Sequence, residues 1–271
     1  MLTATLGGLI KDHRLKKRLS QLQVSLRIGW SDATRLSKIE QGRVVKPTRK
    51  TLDRIMDALE LDVHQKGEML RVGTGIPERD ESDLVIVQLT EGIKSVDYPV
   101  LIVDTFWTTY FVNQHFKKLW NLSDEAVQYI NDKHPNWLEL LFLTNHLNNV
   151  QVQAGYSKDR LHSFKEYQIA QFKYEQLDFV SETWFLKLIQ TLSTNKEFED
   201  LWNKTQPMNR AEHLWYDYEF NVISGNWDGK DKSLTFHVCT MRPTFDPRFN
   251  YITHFPADRH SLEFCSTVKS S

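Results

Sequence analysis

The stretch Leu19-Ser-Gln-Leu-Gln-Val-Ser-Leu-Arg-Ile-Gly-Trp-Ser-Asp-Ala-Thr-Arg-Leu-Ser-Lys-Ile-Glu-Gln-Gly42 constrains the fold more than any other part of the chain. Ser20 is a good helix N-cap, because its hydroxyl can accept from the free N–H groups that open a helix. Leu22, Leu26 and Ile28, with Val24 beside them, supply a short apolar face. Gly29-Trp30-Ser31 breaks the pattern, and Ser31 or Asp32 can cap a second helix. In that helix Leu36 and Ile39 share one face, and Gly42 stops it in the usual C-terminal place. Two short helices joined by a tight glycine turn make a helix-turn-helix, whose second helix fits the major groove of DNA.

The segment resembles the Cro/C1-type (XRE-like) repressor domains. The matching features are Leu19-Ser20-Gln21, the Gly29 turn, Leu36-Ser37-Lys38-Ile39-Glu40-Gln41-Gly42 and Pro47. The turn looks one residue longer than in the phage repressors. The resemblance implies a structural pair between Arg14, in a preceding helix, and Glu40.

Length and charge fit this reading. A chain of 271 residues can hold two separate cores. Residues 1–72 carry 15 Lys and Arg against 8 Asp and Glu, whereas the remainder carries 19 against 27. A basic first segment beside an acidic remainder suits one domain on polyanionic DNA and another that stays off it. No run approaches the roughly 18 apolar residues of a membrane span. The start lacks a charged-then-apolar leader, so a cytoplasmic protein is expected. Cys239 and Cys265 have no metal-like spacing and read as unpaired thiols in a reducing compartment.

In chain order, residues 4–18 read as a first helix with Leu6, Leu9, Ile10 and His13 inward. Thr48 can cap a fourth helix and Asp62 a fifth. This sets an all-α, five-helix, DNA-binding domain over residues 1–72. Residues 73–83 read as a linker, rich in Gly, Pro and charge. Their lone Gly-x-Gly lacks the third glycine and preceding strand of a nucleotide fingerprint. From residue 84 to 271 the expected order is a helix (84–95), strands at Pro99–Asp104 and Thr108–Val112, and a helix opened by Asn113. Mostly helical stretches at 124–149 and 157–205 follow, capped at Asp124, Ser157 and Ser181. Strands at Trp215–Ile223, Leu234–Met241 and Tyr251–Phe255 close the chain, the first two joined by a hairpin turn at Gly225–Gly229.

That order is the order of a PAS-like α+β domain, with helices over a five-stranded antiparallel sheet. This half resembles the ligand-binding domain of MmyB-like transcription regulators. The resemblance is carried by Pro99-Val-Leu-Ile-Val-Asp104, Trp107, Val112-Asn113, Asn136-Trp-Leu-Glu-Leu-Leu-Phe142 and Glu197-Phe-Glu-Asp-Leu-Trp202. The ending departs from the family pattern: Trp215–Ile223 lacks the glycine that usually opens that strand.

Candidate functional residues fall into two sets. For DNA, Leu36 and Ile39 pack inward and the opposite face presents Ala33, Thr34, Arg35 and Lys38. Lys38 or Arg35 can donate to guanine O6 and N7, and Thr34 can touch a thymine methyl. Gln21, at a helix start, and Arg43, Lys46 and Arg49 are phosphate candidates. The second half is rich in aromatics, with 15 Phe, 9 Tyr and 8 Trp in the whole chain. They read either as a filled core or as the lining of a small-molecule pocket by Trp107, Tyr110, Trp137, Phe142, Phe172, Trp184, Phe236 and His237. The resemblance implies a fatty-acid-like or other apolar ligand. A carboxylate head group would need a donor such as His146, His162, His213, His237, Arg160 or Arg210.

No catalytic or metal motif stands out; His254, Asp258 and His260 read as chance neighbours. The expectation is a non-enzymatic, homodimeric, DNA-binding transcription regulator that needs no cofactor and no membrane and senses an apolar ligand. The alternative is a second half that serves only in dimerisation or protein docking.

Overall fold

In the computed structural model the chain forms two units, Met1–Val87 with Arg242–Asn250, and Gln88–Met241 with Tyr251–Ser271. The structure describes residues 5–73, 79–93, 95–144, 158–209, 219–224, 232–243 and 245–268.

The first unit is helical, with α1 (Leu6–Lys16), α2 (Gln21–Ile28), α3 (Thr34–Glu40), α4 (Arg49–Ala58) and α5 (Val63–Gly73). Their starts follow local chemistry. Thr5, Ser20 and Thr48 accept from the orphan N–H groups of α1, α2 and α4, and Ser20 and Gln23 complete a reciprocal capping box. Asp62 and Gln65 exchange the equivalent pair at the start of α5. Gly29 ends α2 at φ 88°, where a Cβ would be strained, and so permits the tight turn into α3.

Leu6, Leu9, Ile10, Val24, Ile28, Leu36, Ile39, Leu52, Ile55 and Met56 belong to one core. The buried face of α2 differs from the expected apolar face. Val24 and Ile28 are buried, but Leu22 and Leu26 are 47% and 58% exposed. An eight-residue helix has room for one buried stripe, and Ser25 rather than Leu26 completes it.

The α1–α3 crossing is close. A Cβ on Gly7 would stand 2.5 Å from the Ile39 carbonyl oxygen and 2.7 Å from that of Glu40. Beside it, Arg14 Nε donates to Glu40 Oε1 at 2.7 Å and Arg14 Nη2 to Glu40 Oε2 at 2.8 Å. Arg14 Nη1 donates to the Leu19 carbonyl, and Gln21 Nε2 to Glu40 Oε2.

Gly73 closes α5 and residues 79–83 belong to the next helix, so the stretch 73–83 is not wholly linker. Helix α6 (Arg79–Ile93) carries the chain into the second unit. There, β1 (Val100–Asp104), β2 (Thr109–Val112), β3 (Glu219–Ser224), β4 (Lys232–Met241) and β5 (Phe249–Pro256) lie in the order β2-β1-β5-β4-β3. The pairs β1/β2, β3/β4 and β4/β5 are antiparallel. Between β2 and β3 lie α7 (Gln114–Leu119), α8 (Asp124–Lys133), α9 (Trp137–Phe142), α10 (Lys158–Glu175), a 3-10 turn (Leu177–Phe179), α11 (Thr183–Leu192) and α12 (Lys196–Lys204). Helix α13 (Arg259–Ser266) follows β5.

Several expected boundaries move. The stretch 124–149 breaks after Lys133, because His134 takes φ 47° and Pro135 cannot continue the ladder. Ser123 rather than Asp124 caps α8, and Glu182, without a capping side chain, precedes α11 instead of Ser181. The Gly225–Gly229 turn, residues 215–218 and Ser157 lie outside the described residues.

The β1–β2 turn is organised by Asp104, which is fully buried. Its Oδ1 accepts from the N–H groups of Phe106 and Thr108, and its Oδ2 from the Tyr110 hydroxyl. Burial nevertheless pushes its pKa up to about 6. In the same unit burial pushes His254 down to about 4.

Three outcomes are expected. Gly7→Ala should cost about 1–3 kcal/mol, because the methyl meets backbone rather than a movable side chain. Glu40→Gln should cost about 3–5 kcal/mol by leaving the Arg14 guanidinium buried with a neutral partner. Hydrogen exchange should then show faster exchange in α1 and α3 with the second unit unchanged. On acidification from pH 6.5 to 4, the unfolded chain protonates His254 first, which destabilises the fold, while folded Asp104 protonates first, which stabilises it. The two opposing effects give a shallow profile. Asp104→Asn removes one of them, so calorimetry should show the second unit losing stability more steeply over that window than in the unaltered protein.

Candidate nucleic-acid interface

Helix α3 is held from its inner side. Leu36 and Ile39 are 0% and 1% exposed. The other side is left to solvent, with Thr34, Arg35 and Lys38 exposed. Asp32 Oδ1 accepts from the Thr34 N–H at 2.7 Å, the bond that most lowers the Asp32 pKa. Its charge is thereby spent at the positive end of α3. Ala33 is the N-cap residue itself, half-buried, with Thr34 opening the helix.

A hollow of about 530 Å³, open to solvent, is lined by Gly29, Trp30, Ser31, Asp32, Thr34, Arg35 and Lys38. Within it the Arg35 guanidinium carbon lies 4.9 Å from the centre of the Trp30 ring. Arg35 Nη2 donates to Thr51 Oγ1 at 3.3 Å, and Thr51 Oγ1 lies 2.9 Å from Thr48 Oγ1. Trp30 and Thr51 are not among the residues that sequence reasoning selects. The available signal was a tryptophan directly after the turn glycine, five residues before an arginine.

The remaining expected DNA residues divide. Lys38, Arg43 and Lys46 are exposed on α3 and the turn after it. Gln21 instead turns inward to the Glu40 carboxylate. Arg49 is half-buried, with its Nε on Asp53 Oδ1 at 2.8 Å. Beyond that turn, Arg27 Nη1 and Lys17 Nζ donate to the carbonyls of Ala58 and Glu60, so these two cations tie helices together.

The aromatic set of the second unit is densely packed. Trp107, Trp137, Phe142, Phe172 and Phe236 lie in one buried core, with Trp184 half-buried against it. Trp107 Nε1 donates to Glu175 Oε2 and Trp137 Nε1 to Gln168 Oε1. Tyr110 donates to Asp104. Phe172 meets Trp107 edge-on and stacks with Phe185, and Phe142 meets Phe198 edge-on. His237 is corrected: it is exposed beside buried Phe236, because neighbouring residues of a strand face opposite ways. His162 is also exposed. His146, His213, Arg210 and the Arg160 side chain lie outside the described residues. Of the three neighbours near the end of the chain, His254 is buried in β5, Asp258 caps α13 and His260 is exposed in its first turn. Among the described residues no helix is long and apolar enough to cross a membrane.

Comparison with known proteins reaches the first unit. The chain is similar to the ImmF control region 10 kDa protein of Bacillus phage phi105, with 46% identity over 59 residues. That match takes in 22% of this chain and 63% of the phage protein, so the chain spans just under two thirds of the relative's length. Residues 5–69 match the family described as a helix-turn-helix domain. Together with the α2–turn–α3 geometry, that match makes the first unit a helix-turn-helix domain.

Proposed function

We propose that the protein is a sequence-specific, DNA-binding transcription regulator of the XRE-like kind. The carrying observation is the exposed face of α3, with Thr34, Arg35 and Lys38 outward over buried Leu36 and Ile39. A helix fixed on one side and offering donors on the other is what major-groove readout requires. Lys38 and Arg35 read base edges, Thr34 lies against a thymine methyl, and Arg43 and Lys46 hold phosphates. The protein acts on DNA as a homodimer in the cytoplasm, without catalysis and without a metal.

The second unit is the regulatory half in this reading: a PAS-like, MmyB-like domain that responds to a fatty-acid-like or other apolar molecule. Its aromatic core and the order of its elements support this. A ligand acts by binding one arrangement of the dimer better than another. The second reading makes this half a dimerisation or docking module. It is favoured by Leu177, Val180 and Leu186, which are 52%, 51% and 56% exposed, and by the close packing of the aromatic residues.

Two experiments test these readings. A duplex is selected from a random pool, and binding to it and to random duplex is compared. Lys38→Ala should reduce selected-duplex affinity about tenfold and relax the preference at one base pair. Arg43→Ala should weaken both duplexes alike and lower the salt slope by about 1. Equal losses on both duplexes for Lys38→Ala would refute base reading by Lys38. Gentle purification, denaturation and solvent extraction with mass spectrometry test the sensor: a stoichiometric apolar compound supports it. An empty extract with no thermal shift across a lipid panel favours the docking module.

A further inference from the structure

We infer that Trp30 is a positioning residue for sequence readout, holding the Arg35 side chain as a pre-set donor for a guanine edge. This rests on the DNA-binding reading above and adds to it a residue outside the recognition helix. Arg35 is exposed on α3 but is fastened at two points, by the Trp30 ring face below its guanidinium and by Thr51 Oγ1 at Nη2. Thr51 is 7% exposed and belongs to α4, where its hydroxyl also meets that of the capping Thr48. Trp30 is itself half-buried against the core of the first unit, so both fastening points are on fixed parts of the fold.

The physical consequence concerns entropy and direction. An exposed arginine carries rotamer entropy that binding must remove. A guanidinium lying on a ring face has its plane set and its rotamers restricted before DNA arrives, so less is lost on binding. The guanidinium has five N–H donors, and the Thr51 contact uses one. The rest can form the paired contact with guanine O6 and N7 that is the commonest specific base contact. Lys38, on the same helix, is a compact ammonium on a flexible stem and serves as the less directional donor.

The test uses the full chain, a duplex selected with the unaltered protein, and random duplex. Arg35→Ala should lose about tenfold affinity for the selected duplex and its preference at one G·C pair. Trp30→Leu should lose roughly threefold to tenfold, relax that same base pair and no other, and leave binding to random duplex and its salt slope unchanged. In the Arg35→Ala background Trp30→Leu should have no further effect. Trp30→Phe, which keeps a ring face, should retain most of the preference and guards against a folding defect in Trp30→Leu. Arg35→Lys should lose the preference although the charge remains.

Trp30→Leu weakening both duplexes equally, tightening the selected complex, or adding its full effect to Arg35→Ala would overturn the inference while leaving DNA binding intact. An unaltered protein that selects no sequence would overturn the DNA-binding reading itself and this inference with it.

Discussion

The first unit depends on one buried ion pair and the close crossing that accompanies it. Arg14 reaches Glu40 with two parallel hydrogen bonds, and Gly7 lets α1 lie against the last carbonyls of α3. A short helix of seven residues has little stability of its own. Glu40 is its last residue, so the pair fastens the C-terminal end, while Asp32 Oδ1 accepts from the Thr34 N–H at the other. Gln21 joins the same carboxylate and brings the start of α2 into the network. With both ends and the inner face fixed, the outward residues of α3 keep their directions, which is the condition for reading a base edge.

The second unit solves a different problem. Its sheet and helices enclose a large aromatic core, and several of the polar groups buried with it are paired close by in the chain. Asp104 gathers the β1–β2 turn, while Trp107 at φ 67° donates to Glu175 and accepts from the Trp137 N–H. Asn136 donates to the Phe106 carbonyl and caps α9. The β4–β5 connection and the first two residues of β5, together Arg242–Asn250, group with the first unit. There Arg248 is fully buried on Asp246, and Pro247 lies where a side chain on Gly67 of α5 would stand. A segment that returns to the first unit between β4 and β5 gives that unit a part drawn from far along the chain.

Much of the first unit is legible in the sequence because its signals are local. Ser20, Thr48, Asp62 and Gly29 act within three residues of where they stand. The exposure of Leu22 and Leu26 is not legible, since periodicity finds an apolar face without saying which neighbours cover it. Pro135 could have marked the end of α8 from sequence alone, whereas the helices 158–204 give mixed periods that hide their breaks. Among candidate site residues, composition alone could not separate a packed core from a pocket lining. Strand alternation could have set His237 apart from Phe236. The Trp30–Arg35 contact has a local signal, a tryptophan five residues before the arginine, whereas the Arg35–Thr51 contact joins α3 to α4, which no local pattern encodes.

The most direct measurement is a nuclear magnetic resonance titration of the full chain, labelled for backbone amides, with a duplex selected from a random pool. The expected result is that the largest shifts fall on Thr34–Lys38 and on the turn through Lys46, while α1 and the buried pair at Arg14 and Glu40 stay in place. Shifts centred on other elements, with α3 unperturbed at saturating duplex, would contradict the account.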